Sequence, residues 1–188
     1  MPGPYATPAR RVLLCVAGFL ALALLLRGDV RNCSCDIANP QAMTARECGL
    51  CREAEKQPAD VAVFFLKDIN PLKPNRWLAL PRTHVHSLAN IAPEARQALF
   101  NEAIEKAKSL WGADWGLAVN GDERRTQCHV HIHIGKLLED AETPNFAVVD
   151  GPADIPIPTD GTGFWIHPVA GKLHVHSGEQ ATEFVLMR

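Results

Sequence analysis

The sequence predicts one α+β domain: an antiparallel sheet that carries a row of histidines, with one long helix packed across it. Three observations predict it. From His129 to Ile134, histidines alternate strictly with Val130, Ile132 and Ile134, the period of two that a strand imposes. Through Glu94 to Leu110, apolar Leu99, Ile104, Ala107 and Leu110 recur at near-helical spacing with charges between them, which makes an amphipathic helix. Finally, 188 residues, 47% hydrophobic and with a net charge of −2, are enough for one real core with modest extensions. There is neither a basic surplus nor aromatic interleaving, which argues against nucleic acid as a partner.

The chain divides into residues 1–31, a cysteine-bearing segment 32–58, a core 59–138, and a connecting loop with a C-terminal β extension of the same domain, 139–188. After Arg10 and Arg11 an apolar run extends from Val12 to Leu26 and includes Cys15. As a helix it would span about 22 Å at ~1.5 Å per residue, short of a hydrocarbon layer of ~30 Å. A signal segment and a thin anchor both fit. The expectation taken here is a retained transmembrane anchor, with the membrane as partner and the catalytic part outside the cytoplasm at an inner membrane. Cleavage of the run would make the protein secreted or periplasmic.

Next come Cys33, Cys35, Cys48 and Cys51. Cys48 and Cys51 have the C-x-x-C spacing that grips zinc if two further ligands are found. A disulfide of Cys33 or Cys35 with Cys48 or Cys51 is the alternative, and a four-cysteine zinc site is the third.

Val61–Leu66 reads as a buried strand, and Pro71 and Pro74 keep 67–75 a turn. Arg76–Pro81 is a second strand. Pro93 suits a helix start. Trp115–Asn120 is a third strand and feeds the histidine stretch through a loop. On that stretch His129, His131 and His133 share one face, ~6.5–7 Å apart, a spacing that suits a phosphate or a metal. Residues 139–163, rich in Pro, Gly and Asp, form a long connection placed to fold over the site. F-W-I-H-P-V and K-L-H-V-H-S-G are strands joined by Ala170-Gly171-Lys172, and His167, His174 and His176 are strand-face histidines near a site entrance. Glu183–Arg188 adds to the sheet or packs beside it.

Several motifs occur in one order: C-x-x-C at 48–51, L-K-D-I-N-P-L-K-P-N-R-W-L-A-L-P-R-T-H at 66–84, a helix, A-V-N, and H-V-H-I-H-I. Over about residues 48–135 this resembles the histidine-triad (HIT) superfamily of nucleotide hydrolases and transferases. A-V-N-G-D-E-R-R-T-Q-C-H-V-H-I-H-I looks most like its CDP-diacylglycerol pyrophosphatase family. The resemblance implies a HIT-like sheet and a phosphoric anhydride hydrolase that converts a nucleotide-linked lipid, CDP-diacylglycerol, to CMP and phosphatidate through a histidine–nucleotide intermediate. His131 would be the nucleophile, as a neutral imidazole can be. His133 would hold the non-bridging oxygens, and His129 would orient the group or bind zinc. Asp68 would bond the ribose. Asn120, Thr126 and Gln127 offer uncharged donors to the phosphate, and Arg124 or Arg125 offers charge for a diphosphate. In zinc-bearing members the matching metal ligands are Cys48, Cys51, His84 and His129. No cofactor is needed for the chemistry, a structural zinc fits, and a homodimer stays open. This chain departs from many members in carrying Arg125 four residues before the first histidine, where they have glutamine.

Two other readings stand beside this one. One is a HIT-type hydrolase or nucleotidyltransferase acting on a soluble nucleotide. The other is a membrane-tethered protein that captures zinc or copper with its cysteines and histidine pairs. Asn120, Thr126, Gln127 and Asp68 count against the last, because a metal carrier has no need of phosphate and ribose contacts.

Overall fold

A computed structural model describes residues 30–188. Seven strands, β1 (Val63–Lys67), β2 (Trp77–Pro81), β3 (Trp115–Val119), β4 (Ile132–Lys136), β5 (Ala147–Val149), β6 (Gly163–Val169) and β7 (Lys172–Glu179), form one sheet in the order β1-β2-β4-β3-β6-β7-β5. Every pairing is antiparallel. With two α-helices among the described residues, α1 (Gly49–Glu55) and α2 (Pro93–Trp111), the architecture is α+β.

Helix α2 begins with Pro93 at its first turn and stops at Gly112, whose φ of 60° suits glycine. Leu99, Phe100, Ala103, Ile104 and Ala107 are buried on one of its faces, while Leu110 faces out. That stripe packs on Leu117, Val130, Ile132, Ile134, Phe164 and Ile166 to make the main core. Because strand side chains alternate, Leu78, His133, Ala118 and Trp165 lie on the opposite face. Helix α1 covers part of it, packing Ala54 against Phe64, Leu78 and Leu80.

The C-terminal residues run across the same face. Thr182–Val185 is a 3-10 helix, and Leu186 makes one bridge to Leu137, so of the two expectations the segment packs beside the sheet, as a helical turn and not as a strand of it. Arg76, almost fully buried, holds it: Nε donates to Met187 O at 2.7 Å, and Nη2 donates to Glu183 O at 2.8 Å and to Leu186 O. Gly135 makes room, since a Cβ there would stand 3.1 Å from both Arg76 Cδ and Leu186 Cβ. The 139–163 connection also differs from expectation. Its Val148 and Val149 join β5 to β7 at the far edge of the sheet, four strands from β4. The β6–β7 turn is made by Ala170 and Gly171, both at positive φ, as a two-residue hairpin demands.

The membrane anchor is withdrawn. No helix among the described residues is long and apolar enough to cross a membrane, which overturns the expected transmembrane helix and membrane-anchored location. The Val12–Leu26 run and Cys15 lie outside the described residues.

Candidate active site

The histidine stretch is only half a strand. β4 starts at Ile132, and the backbone N–H of Val130 bonds Val85 O instead of a ladder partner. The alternation survives the change: Val130, Ile132 and Ile134 enter the core while all three histidines are buried behind them. Two disulfides fix the approach. Cys128, directly before His129, is bonded to Cys33, and Cys35 is bonded to Cys48.

Hydrogen bonds then set the tautomers. His129 Nε2–H donates to Pro81 O at 2.8 Å, leaving Nδ1 without a partner. His131 Nδ1–H donates to His129 O at 2.9 Å, which leaves the lone pair on Nε2. Burial pushes both rings down to about 4, so they are neutral at pH 7. His133 stands beside His131, with ring centres 4.8 Å apart, and burial holds it well below the ordinary histidine value too. Asn120 Oδ1 accepts from Glu183 N–H at 3.1 Å and from the Thr182 hydroxyl at 3.4 Å. Its amide nitrogen is thereby turned to donate to His133 Nε2 at 3.4 Å.

Glu183 is the residue that sequence reasoning missed. Its Oε2 lies 3.8 Å from His133 Nδ1 and 3.4 Å from Arg76 Nη1, and it is ion-paired with Lys73 Nζ. Burial opposes its ionisation, yet His133, Lys73 and Arg76 hold its carboxyl down at about 2. No local pattern marks it, because it reaches the site from a turn 50 residues after His133.

A cavity of about 950 Å³ opens in front of His131 and His133. Asp68, Asn120, Arg124, Arg125, Thr126 and Gln127 all line it, so the structure brings together the predicted substrate-binding set. Six basic side chains, Arg46, Arg52, Lys67, Lys73, Arg124 and Arg125, line it against the acidic Glu53, Asp68 and Glu183, a balance that favours an anion. Individual roles differ from expectation. Gln127 is occupied as a brace: its Oε1 accepts from Leu50 N–H at 3.0 Å and its Nε2 donates to Arg46 O at 3.2 Å. Arg125 is buried and paired with Asp122 at 2.8 Å, so Arg124, lying over the Phe184 ring, is the freer of the two. Asp68 uses Oδ1 on Asn70 N–H at 2.9 Å, and its other oxygen remains for a ligand.

The predicted zinc set does not fit. The Cys48 sulfur is committed to Cys35, so a site of Cys48, Cys51, His84 and His129 is corrected to three potential donors. Cys51, His84 and His129 do offer ligand atoms within 4.8 Å of one another. Cys51 Sγ lies 2.9 Å from His84 Nε2, and burial pushes its thiol up to about 11. That places His129 with the cysteine segment and outside the cavity that His131 and His133 share.

No family model matches the chain. Protein HitA of Neisseria gonorrhoeae is 34% identical to it over an alignment of 99 positions that covers 46% of this chain and 92% of HitA.

Proposed function

The chain belongs to the family of protein HitA, and from that premise we propose that it is a histidine-triad hydrolase of nucleoside-diphosphate-linked substrates, with CDP-diacylglycerol as the favoured one. One observation carries the reading: His131 is neutral, its Nδ1–H is engaged by its own chain, and the ring lines an anion-favouring cavity. Nε2 attacks the α-phosphorus, a P–N bond forms, and the P–O bond to the second phosphate breaks with its electrons, releasing phosphatidate. The bond from Nδ1 to His129 O steadies the positive charge that the ring acquires. Water then attacks phosphorus and gives its proton to solvent. The P–N bond breaks, CMP leaves, and the imidazole returns neutral.

His133 and Asn120 face the non-bridging oxygens, while Arg124 and Lys73 offset the diphosphate charge. Asp68 accepts from ribose hydroxyls. Ile69, on the cavity wall, is 97% exposed, and an acyl chain would lie against it. The test is to incubate the protein with CDP-diacylglycerol in detergent micelles and, separately, with a soluble dinucleotide, quenching early. CMP release, with an acid-labile, base-stable adduct on the peptide spanning 128–136 that His131→Ala lacks, is the expected result. Turnover of the dinucleotide alone would replace the lipid with a soluble nucleotide. A full-rate His131→Ala enzyme would overturn the mechanism.

A further inference from the structure

On the face of the sheet away from α2, two strands beyond β3, three imidazoles converge on one carboxylate. Phe164, Ile166, Leu173 and Val175 turn into the helix-side core, so His167 on β6 and His174 and His176 on β7 point the other way. His167 is paired across the ladder with His174, and Trp165 with His176. Glu142, from the connection after β4, reaches over them. Its Oε2 lies 2.6 Å from His167 Nε2, and its Oε1 lies 2.9 Å from His174 Nδ1 and 3.6 Å from His176 Nε2. All four residues offer ligand atoms within 4.8 Å of one another.

We propose that Glu142, His167, His174 and His176 form a second site, which binds one divalent transition-metal ion of the zinc type. The donor set, three imidazole nitrogens and one carboxylate oxygen, is the borderline mixture that zinc accepts. Tetrahedral zinc at ~2.0–2.1 Å would set its donors about 3.3 Å apart, so side-chain adjustments of about an ångström close the cluster. A second observation points to a ligand. His176 Nε2 is buried and has no hydrogen-bond partner, its neighbour Glu142 Oε1 standing 3.6 Å away, which a structure tolerates poorly unless something is to be bound. His176 is also prepared from behind. Its Nδ1 lies 2.9 Å from Thr143 Oγ1, the outer hydrogen bond that orients a ligating imidazole, and its ring is stacked on Trp165 with centres 3.6 Å apart.

The site is separate from the triad. Ala118 is opposite both His133 and Trp165, and Trp165 is opposite His176, so three strand spacings of ~4.8 Å put it roughly 14 Å from His133. An ion there does not touch a phosphate at His131. It ties the segment around Glu142 to β6 and β7, with Phe146 stacked over His174 at 4.0 Å.

The test uses the full chain, stripped with chelator and dialysed against zinc chloride, with bound metal counted by mass spectrometry. Wild type should hold a zinc that Cys51→Ser retains, whereas Glu142→Gln and His174→Ala, both at partly exposed side chains, should each weaken it by about 100-fold or more. With cobalt in place of zinc, the visible spectrum should lack a thiolate charge-transfer band. Zinc lost on Cys51→Ser but kept by Glu142→Gln and His174→Ala overturns the proposal, as does wild type that takes up no zinc. Either result leaves a carboxylate hydrogen-bonded among histidines and nothing more.

Discussion

His131 owes its readiness to a single backbone carbonyl and to burial, and both have measurable consequences. His129 and His131 titrate at about 4 in the fold, against an ordinary value of 6.5. Between those two pH values the unfolded chain takes up protons that the folded one refuses. Stability is therefore unaffected above about pH 6.5 and falls as the pH drops towards 4, by up to about 3 kcal/mol for each ring. Urea midpoints at pH 7 and pH 4.5 will show it, and equal midpoints would mean that the rings charge in place. For the same reason kcat/KM should stay level from pH 7 down to about 5, where an ordinary histidine nucleophile would be mostly protonated. Glu183 adds a loss at lower pH. Its stabilisation is present above the unfolded value near 4.5 and disappears towards 2. Glu183→Gln should cost about 3 kcal/mol at pH 7, because Lys73 and Arg76 lose a buried counter-charge; a urea midpoint within error of wild type would make the carboxylate incidental.

At the scale of elements, two cross-links reinforce the packing of Ala54 and the Gln127 brace that hold the cysteine segment to the sheet. Closing loops with sequence separations of 13 and 95 residues should contribute about 3 and about 5 kcal/mol through the unfolded state. Thiol reduction should therefore lower the melting temperature well beyond the few degrees that a single surface change gives. It should also slow the proposed hydrolysis, since the bond to Cys33 anchors Cys128 directly before His129. An unchanged melt after complete reduction, verified by alkylation, would refute this. Much of the fold was legible in advance: the strands expected at 61–66, 76–81, 115–120, 164–169 and 172–178 and the helix expected over 94–110 each lie within about two residues of the observed elements, the helix through its period and most of the strands as short apolar runs closed by turn residues. What escaped was non-local. Nothing near Cys128 says that its partner is Cys33. Ala147–Val149 is too short and too exposed to declare a strand. Glu183–Arg188 carries β-prone residues, but Arg76 captures its carbonyls one after another and curls it into a turn. The triad's alternation was read correctly as a facing pattern and too generously as a strand.

Taken whole, the molecule packs one side of its sheet under α2 and carries His133 and the β6–β7 histidines on the other. The helix side is apolar across its centre. The other side presents, from β2 to β7, Leu78 under α1, His133 at the cavity, Ala118 and Trp165 beneath Leu186, and then the histidine cluster. Most of the cavity-lining residues proposed to meet a substrate were legible because they sit within one loop and strand, 120–133, with Asp68 in the 66–84 motif, whereas their support comes from residues 30–55 and 182–187. The cross-link from Cys33 to Cys128 has a further consequence for biogenesis. During synthesis Cys15, Cys35, Cys48 and Cys51 all emerge well before Cys128, so Cys33 meets four wrong thiols before its right one exists. A strongly oxidising bath should therefore trap mispaired chains, and native molecules then arise only by exchange, over minutes to hours. Refolding reduced protein in a mixture of reduced and oxidised glutathione should recover far more of the Cys33–Cys128 pair than refolding in air, as peptide mapping would reveal; equal recovery would show that the sheet brings the two sulfurs together before any oxidation begins.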